Sequence, residues 1–321
     1  MFKIGIELIP CMPLQEVVDT INAAEDLGYD FCILADEGFM HDVYVCLAAA
    51  AQKTSRIKLG PTTNGYTRHP AVTAAALASL NELSNGRALI ALCAGGSMVL
   101  QPMGIPRLRP LDVVSDSLQV MRQLWSGESV TWQGKWYRLD DAKLAMGRQD
   151  IPIWLVVRGE KLLEFAGKEA DGVIVMAKSD LEAALKLVDR GSDGREVPPE
   201  RIYMDHISFS PEMMEEAAAL YTYSVMDSPP RMLRGLGLTE EEITNIKSAV
   251  ITGGPAAAKK FITPDMIKAF QVAGTPEECS TTISTMINTH KLDGFVLSIV
   301  APGYESNLQL MRDTLSILGK E

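Results

Sequence analysis

The sequence predicts an α/β fold, a closed (β/α)8 TIM barrel with an insertion before the last strand, on three observations. Eight short apolar or β-branched runs alternate with helical stretches along 321 residues. Several of these runs are apolar throughout rather than alternating, as strands of a parallel sheet covered on both faces must be. The competing open doubly wound sheet is lowered because no GxGxxG fingerprint follows the first strand.

Taken in order, Lys3–Ile9 reads as the first strand, and the helix Leu14–Leu27 after it stops at Gly28, which tolerates the left-handed conformation of a helix end. Phe31–Ala35 is the second strand, followed by a helix from about Asp42 to Lys53. Ile57–Leu59 and Ala88–Cys93 are the third and fourth, joined by an Ala-rich helix with Pro70 in its first turn. Between the third strand and that helix lies TTNGYTRH, read as a polar loop at a strand's C-terminal end, where parallel folds bind ligands. A helix over Leu111–Trp125 precedes VTWQGKWYRL, a surface hairpin around Gln133-Gly134. The fifth strand is Pro152–Val156, with a helix from Glu160 to Lys168, and the sixth is Gly172–Met176, with a helix from Asp180 to Arg190. The seventh is Arg201–Phe209. Residues 211–285 are helical but irregular, broken at SPPR and TGGPAAAKK, and read as an insertion that caps the barrel or builds a subunit interface. Gly294–Ile299 is the eighth strand and Ser306–Leu318 the last helix, all within one domain spanning 1–321.

Composition narrows the function. Thirty basic residues against 41 acidic ones give a net charge of −11, which argues against nonspecific binding to nucleic acid or anionic membrane. Cys11, Cys32, Cys46, Cys93 and Cys279 form no CxxC pair, and three sit in apolar runs, so free thiols in a reducing cytosol are expected. With a strand reading from MFKIGIELIP onward and no apolar run near 18 residues, a cytoplasmic protein is expected.

Glu7 is the foremost candidate for chemistry. Alternation in GIELIP puts Gly5, Glu7 and Ile9 on one face and Ile4, Ile6 and Leu8 on the other. A half-buried carboxyl near the mouth has its pKa raised by desolvation, as a general acid near neutral pH requires. The plainer alternative is a core carboxylate paired with an arginine such as Arg68. Asp36 and Glu37 close the second strand in ILADEG and could orient a ligand hydroxyl or hold a positive charge; a turn-forming Asp and a solvated Glu are the alternative. Arg158 and Gly159, opening a helix after the fifth strand, are the best phosphate candidates, since a glycine there frees backbone N–H groups for an anion. A structural glycine at a strand–helix junction is the alternative. Gly95-Gly96 allows close approach of a planar ligand or simply a turn. His69 could touch ligand, while Asn85-Gly86-Arg87 reads as a helix cap and turn. Four scattered histidines argue against a metal site, and neither GxSxG nor a Cys–His pair suggests a nucleophile.

At GIELIP, ILADE, KLGPTTNGYTRHP, NELSNGRA, RGEKLLEFAGKEADGVI, SPPRMLRGLGL and AGTPEEC the chain resembles the bacterial luciferase-like superfamily. Within it, it is most similar to the methylenetetrahydromethanopterin reductases that use the deazaflavin coenzyme F420. The matches run from residue 2 to about 280. The resemblance implies a metal-free TIM barrel with hydride transfer between F420 and a pterin-bound one-carbon unit, Glu7 being the proton donor. It implies Asp36 near the cofactor head, Thr63 and Asn64 at a non-prolyl cis peptide or bulge behind the ring, and Gly159 in the phosphate loop. Arg158, Gly95 and Gly96 join the cofactor set, and Glu37 and Arg68 the substrate set.

The chain departs from the family where Glu37 replaces a histidine and where the loop over 61–64 is one residue shorter. It departs again where Gly96-Ser97 replaces an acidic and basic pair, and where Arg158 and Glu160 replace a neutral residue and proline. The first three departures leave the substrate open and the last the cofactor; the hairpin WQGKWYRL, common across the wider family, keeps open an FMN-dependent luciferase-like monooxygenase or an F420-dependent reductase of another substrate, and the altered phosphate loop a cofactor-free structural or binding paralogue. The apolar stretch VMDSPPRMLRGLGL further predicts a homodimer or homotetramer.

Overall fold

The computed structural model describes residues 2–300 and 303–320, so Met1 and Glu321, the outer limits of the expected domain, lie outside the described residues. Its barrel strands are β1 (Lys3–Leu8), β2 (Phe31–Ala35), β3 (Lys58–Asn64), β4 (Ile90–Cys93), β7 (Ile153–Val156), β8 (Gly172–Val175), β9 (Glu200–Asp205) and β10 (Gly294–Ile299), and β5 (Val130–Gln133) pairs with β6 (Arg138–Ala142) as a hairpin. The eight close into a parallel barrel in the order β1, β10, β9, β8, β7, β4, β3, β2. Around it lie α1 (Leu14–Asp26), α2 (Val43–Lys53), α3 (Pro70–Leu83), the short α4 (Ser97–Leu100), α5 (Pro110–Leu124), α6 (Glu160–Glu169) and α7 (Leu181–Gly191). Helices α8 (Pro211–Asp227), α9 (Pro230–Gly235), α10 (Glu240–Ala258) and α11 (Pro264–Phe270) follow β9, and α12 (Pro276–His290) and α13 (Tyr304–Ile317) flank β10. Among the described residues no helix is long and apolar enough to cross a membrane.

Strand alternation divides the core in two. Ile4, Ile6, Leu8, Cys32, Leu34, Ile153 and Leu155 face the helices in the main cluster. Phe31, Ile33, Leu89, Ala91, Trp154, Ile174, Ile202, Met204 and Val296 fill the lumen. Phe31 and Trp154 meet there edge to face, ring centroids 4.8 Å apart, and a Cβ on Gly5 would stand 2.1 Å from the Phe31 ring. Gly5 thus makes room for the aromatic plug. Gly60 is tighter still, because a Cβ there would lie 1.9 Å from the Leu89 carbonyl oxygen, which belongs to the backbone and cannot swing aside. Gly60→Ala is expected to destabilise the fold by about 3 kcal/mol through forced separation of β3 and β4; a urea midpoint equal to wild type would contradict this.

The helix starts follow from their caps. Asp42 accepts from Tyr44 N and Val45 N, and Thr275 and Glu278 form a reciprocal capping box on α12. His69 caps α3, its Nδ1 accepting from Ala71 N at 3.2 Å while its ring stacks edge-on against Tyr137. This gives it a structural role at the start of α3. The cap reading of 85–87 is extended: Asn85 and Gly86 turn at positive φ, and the Arg87 guanidinium donates to the carbonyls of Ala51, Thr54 and Ile57. That ties the N-terminal end of the barrel together.

The polar loop expected after the third strand begins three residues later. Thr62, Thr63 and Asn64 pair with Ala91, Leu92 and Cys93, so β3 runs on to the barrel mouth. No cis peptide occurs among the described residues, and Thr63 and Asn64 lie in regular register, so the cis bond or bulge implied there by resemblance is replaced by straight strand.

Helices α8 to α11 carry their own small core, with Tyr221, Val225, Met232, Leu233, Leu236, Leu238, Ile246 and Phe270 buried together. The breaks fall at Ser228-Pro229 and at Gly254-Pro255, where Gly254 turns to φ 75. The apolar stretch that suggested an oligomer is therefore covered within the chain. Helix α12 packs Cys279, Ile283 and Met286 into the main core, so the segment with a separate core ends near 270.

Asp205 stitches this excursion to the barrel. Only 5% exposed, it accepts from Tyr203 Oη at 2.9 Å and from Val272 N at 2.7 Å, where the chain returns. Burial pushes its carboxyl up to about 7, against about 3.9 in an unfolded chain. The folded protein holds this proton more tightly than the unfolded chain, so the contribution is fully present below about pH 4 and is lost as pH rises to about 7. The loss approaches about 4 kcal/mol. Asp205→Asn keeps the acceptor oxygen and should flatten that fall, read as urea midpoints across the same window; an unchanged slope would place the titration elsewhere.

A candidate active site at the barrel mouth

Above the apolar plug, the inward row ends in a polar residue or a thiol on six of the eight strands, β2 and β8 ending instead in Ala35 and Met176. The inward rows of β1, β3, β4, β7, β9 and β10 end in Glu7, Thr62, Cys93, Arg158, His206 and Ser298. Glu7 and Ser298 are direct register partners, and Ser298 Oγ donates to Glu7 Oε2 at 2.8 Å. On the far side of β10, His206 Nδ1 lies 2.9 Å from the Ser298 carbonyl oxygen. A carbonyl only accepts, so Nδ1 carries the proton and Nε2 is left as the acceptor.

Burial dominates the electrostatics. It raises the Glu7 carboxyl above the usual carboxylate range; the Ser298 hydrogen bond opposes this, Glu37 adds to it and Arg158 opposes it. Glu37 is also raised, by burial and then by adjacent Asp36. Burial lowers His206, with Arg158 acting in the same direction, which favours the neutral ring. The Cys93 thiol is pushed up to about 11, so it is no thiolate nucleophile. The Thr62 hydroxyl, also buried, faces the Glu7 carboxyl and favours its ionised form, without a partner at full hydrogen-bond geometry.

Adjacent residues separate by parity. Glu37 points toward this cluster, whereas Asp36 points to the helix side, where its Oδ2 accepts from Thr63 Oγ1 at 2.7 Å. Asp36 and Thr63 thus hold β2 to β3 behind the mouth and do not line it. Asn64 spends its Oδ1 on the backbone N–H groups of Tyr66 and Thr67, shaping the turn that follows. Arg68 pairs with Asp42 at 2.8 Å and lies over the Tyr44 ring, so it is not the counter-ion of Glu7. Gly95 turns at φ 74 against Leu100 and Tyr66, and Gly96 opens α4, whose Ser97 N and Oγ both reach Asp227 Oδ2 at the end of α8. That contact closes one side of the mouth with the excursion.

Arg158 and Gly159 are neighbours in sequence and diverge in space. Gly159 begins α6 with no side-chain cap, and no atom lies within 4 Å of where its Cβ would be. The half-buried Arg158 side chain turns inward against the Met176 sulfur, with Asp227, Glu7, Arg107, Cys93 and His206 as the groups that feel its charge. Its backbone carbonyl accepts from Arg231 Nη2 at 3.1 Å, and Arg231 is clamped by Asp180. Ser298, His206, Thr62 and Asp227 were missed from sequence, although alternation along β9 and β10 marks the first two as inward.

Comparison with known proteins bears on this geometry. A family model described as luciferase-like monooxygenase matches residues 4–290. The 5,10-methylenetetrahydromethanopterin reductase of Methanolobus tindarius is 31% identical over 96% of this chain and 97% of its own length. That of Archaeoglobus fulgidus is 29% identical, again over 96% of this chain and 97% of its own. The solved structure of the coenzyme F420 dependent tetrahydromethanopterin reductase from Methanopyrus kandleri superposes with a TM-score of 0.86 at 27% identity, covering 96% of both chains.

Proposed function

The chain belongs to the luciferase-like monooxygenase family, and we propose that within it the protein is an oxidoreductase transferring hydride between coenzyme F420 and the methylene carbon of a tetrahydromethanopterin-type one-carbon carrier. The observation that carries this reading is Glu7, a carboxyl buried at the mouth with its pKa raised and one oxygen already engaged. Full-length similarity to methylene reductases supports the substrate class.

The residues fit a planar ligand with an anionic tail. Thr62 presents a buried hydroxyl beside Glu7, and the free N–H groups at the start of α6, beside Gly159, suit a phosphate. Gly96 leaves room at the loop after β4, where a Cβ would meet only Asp227 Oδ2 at 4.0 Å. When bound, the deazaflavin supplies the hydride.

What this chain itself contributes is a proton and a dry, shaped site. With Oε2 accepting from Ser298, the Glu7 proton resides on Oε1. Opening the imidazolidine ring of a methylene-bridged pterin requires a proton at nitrogen, which Oε1 delivers as the methylene carbon becomes electrophilic. Ser298 fixes the carboxyl plane, and the apolar plug of Phe31 and Trp154 excludes water from beneath.

Titration of the purified protein with F420 and separately with FMN, followed by cofactor fluorescence, tests the reading. Binding of F420 alone at micromolar concentration, followed by oxidation of its reduced form on adding methylene-tetrahydromethanopterin, is the expected result. Binding of FMN alone would turn the assignment to a flavin monooxygenase, and binding of neither to a cofactor-free paralogue.

A further inference from the structure

The His206 ring has one committed nitrogen and one free. It ends the inward row of β9 above Ile202 and Met204, half-buried at the mouth, and Nδ1 donates to the Ser298 carbonyl oxygen at 2.9 Å. Nε2 makes no hydrogen bond among the described residues. A lone pair on a neutral ring therefore stands at the mouth, where it accepts and does not donate. Its surroundings hold the ring in that form. Burial disfavours the imidazolium, and Arg158 acts in the same sense against the contrary pull of the Ser298 carbonyl. The neighbouring carboxyl gives the charged ring no help, because Asp205 points to the other face of β9 and accepts from Tyr203 Oη and Val272 N. Ser298 meanwhile spends its hydroxyl on Glu7 Oε2 at 2.8 Å, so one residue of β10 sets both the acidic carboxyl and the acceptor ring.

We infer that His206 is a specificity-determining residue of this site, its Nε2 accepting a hydrogen bond from an N–H group on the heterocycle of the substrate. This rests on the hydride-transfer reading and deepens it: Glu7 gives a proton to the nitrogen that reacts, while His206 receives a hydrogen bond from one that does not. β1 and β9 flank β10 in the barrel, so proton donor and acceptor stand on either side of Ser298. A fixed acceptor selects by exclusion. A ligand that brings a carbonyl oxygen to this point opposes one acceptor to another and leaves both without a donor, whereas an amine or amide N–H of a pterin-like ring is matched.

Nitrogen NMR of the full chain, labelled in the imidazoles of its four histidines, reads the ring directly, and His206→Asn identifies its signals. The free protein should show Nδ1 protonated and Nε2 bare. Methylene-tetrahydromethanopterin added to protein saturated with oxidised F420 should then move the Nε2 signal toward its hydrogen-bonded position, F420 alone having left it in place. An imidazolium or an Nε2–H ring in the free protein would overturn the inference. So would an Nε2 signal unmoved by the pterin in protein that turns it over, or one moved by F420 alone, which would give the donor to the cofactor. Two substitutions separate recognition from packing. His206→Gln sets an amide oxygen at the place of Nε2, whereas His206→Asn keeps an amide N–H for the Ser298 carbonyl and offers no acceptor beyond it. The Asn variant should raise KM for the pterin about tenfold with kcat and F420 affinity near wild type, and the Gln variant should recover most of that loss. The reverse order would make His206 only a tie between β9 and β10. Absence of turnover by wild type would sink the reductase reading and this substrate with it, a result distinct from intact turnover with Nε2 unmoved, which sinks the His206 role alone.

Discussion

Glu7→Gln is expected to lower turnover by about a hundredfold or more while leaving cofactor affinity close to wild type. Glutamine keeps the shape and can still accept from Ser298 Oγ, so the contact across β1 and β10 survives. What it removes is the transferable proton. Because burial raises the Glu7 carboxyl, the wild-type rate should hold into a pH range where an exposed glutamate has ionised, and then fall as pH rises through that raised value. The variant should lack this limb. Stability should change in the opposite sense: a carboxyl raised on folding costs stability above its unfolded value, so Glu7→Gln should unfold at higher denaturant than wild type near pH 8 and at the same concentration near pH 4. Unchanged turnover would remove Glu7 from the chemistry; lost activity with lost stability would make it merely structural.

The barrel was legible because its punctuation is local. Gly28, Pro70 and the apolar runs mark element ends without any knowledge of partners, and Phe31–Ala35 and Gly294–Ile299 fall where the pattern puts them. The mouth was legible only by halves. Alternation along GIELIP orients Glu7 correctly, since strand and register continue through it. At ILADEG the strand ends at Ala35, and which of two adjacent carboxylates turns inward depends on how the chain leaves the sheet. Glu37, expected to meet substrate, faces the cluster, whereas Asp36, expected to meet cofactor, is taken by Thr63. The same one-residue parity exchanges Thr63 for Thr62. Ser298 is hidden in the apolar run GFVLSI, and its role needs a partner 291 residues away. Arg158 shows the converse limit, because sequence joined it to the glycine beside it while the strand turned its side chain into the lumen.

Arg231→Met is expected to cost about 3–5 kcal/mol of stability, the largest loss anticipated for a residue outside the main barrel core. Asp180 is 3% exposed at its side chain and receives both Nε and Nη2 of Arg231, at 2.9 and 2.6 Å. Removing the guanidinium strands a carboxylate that water cannot reach. The pair also joins α9 to the turn after β8, and Arg231 donates to the Arg158 carbonyl, so it fastens the excursion over the mouth. Asp180→Asn combined with Arg231→Met should recover most of the lost stability, since neither charge is then stranded, yet it should not restore the hydrogen bond to Arg158. Stability and function then part company. The double variant should melt near wild type and still differ from it in the high-pH limb of turnover, because the stem that aims the Arg158 charge felt by Glu7 has lost its pin. A double variant with the wild-type pH profile would show that Arg158 is held by β7 alone, and that the excursion closes the mouth without shaping it.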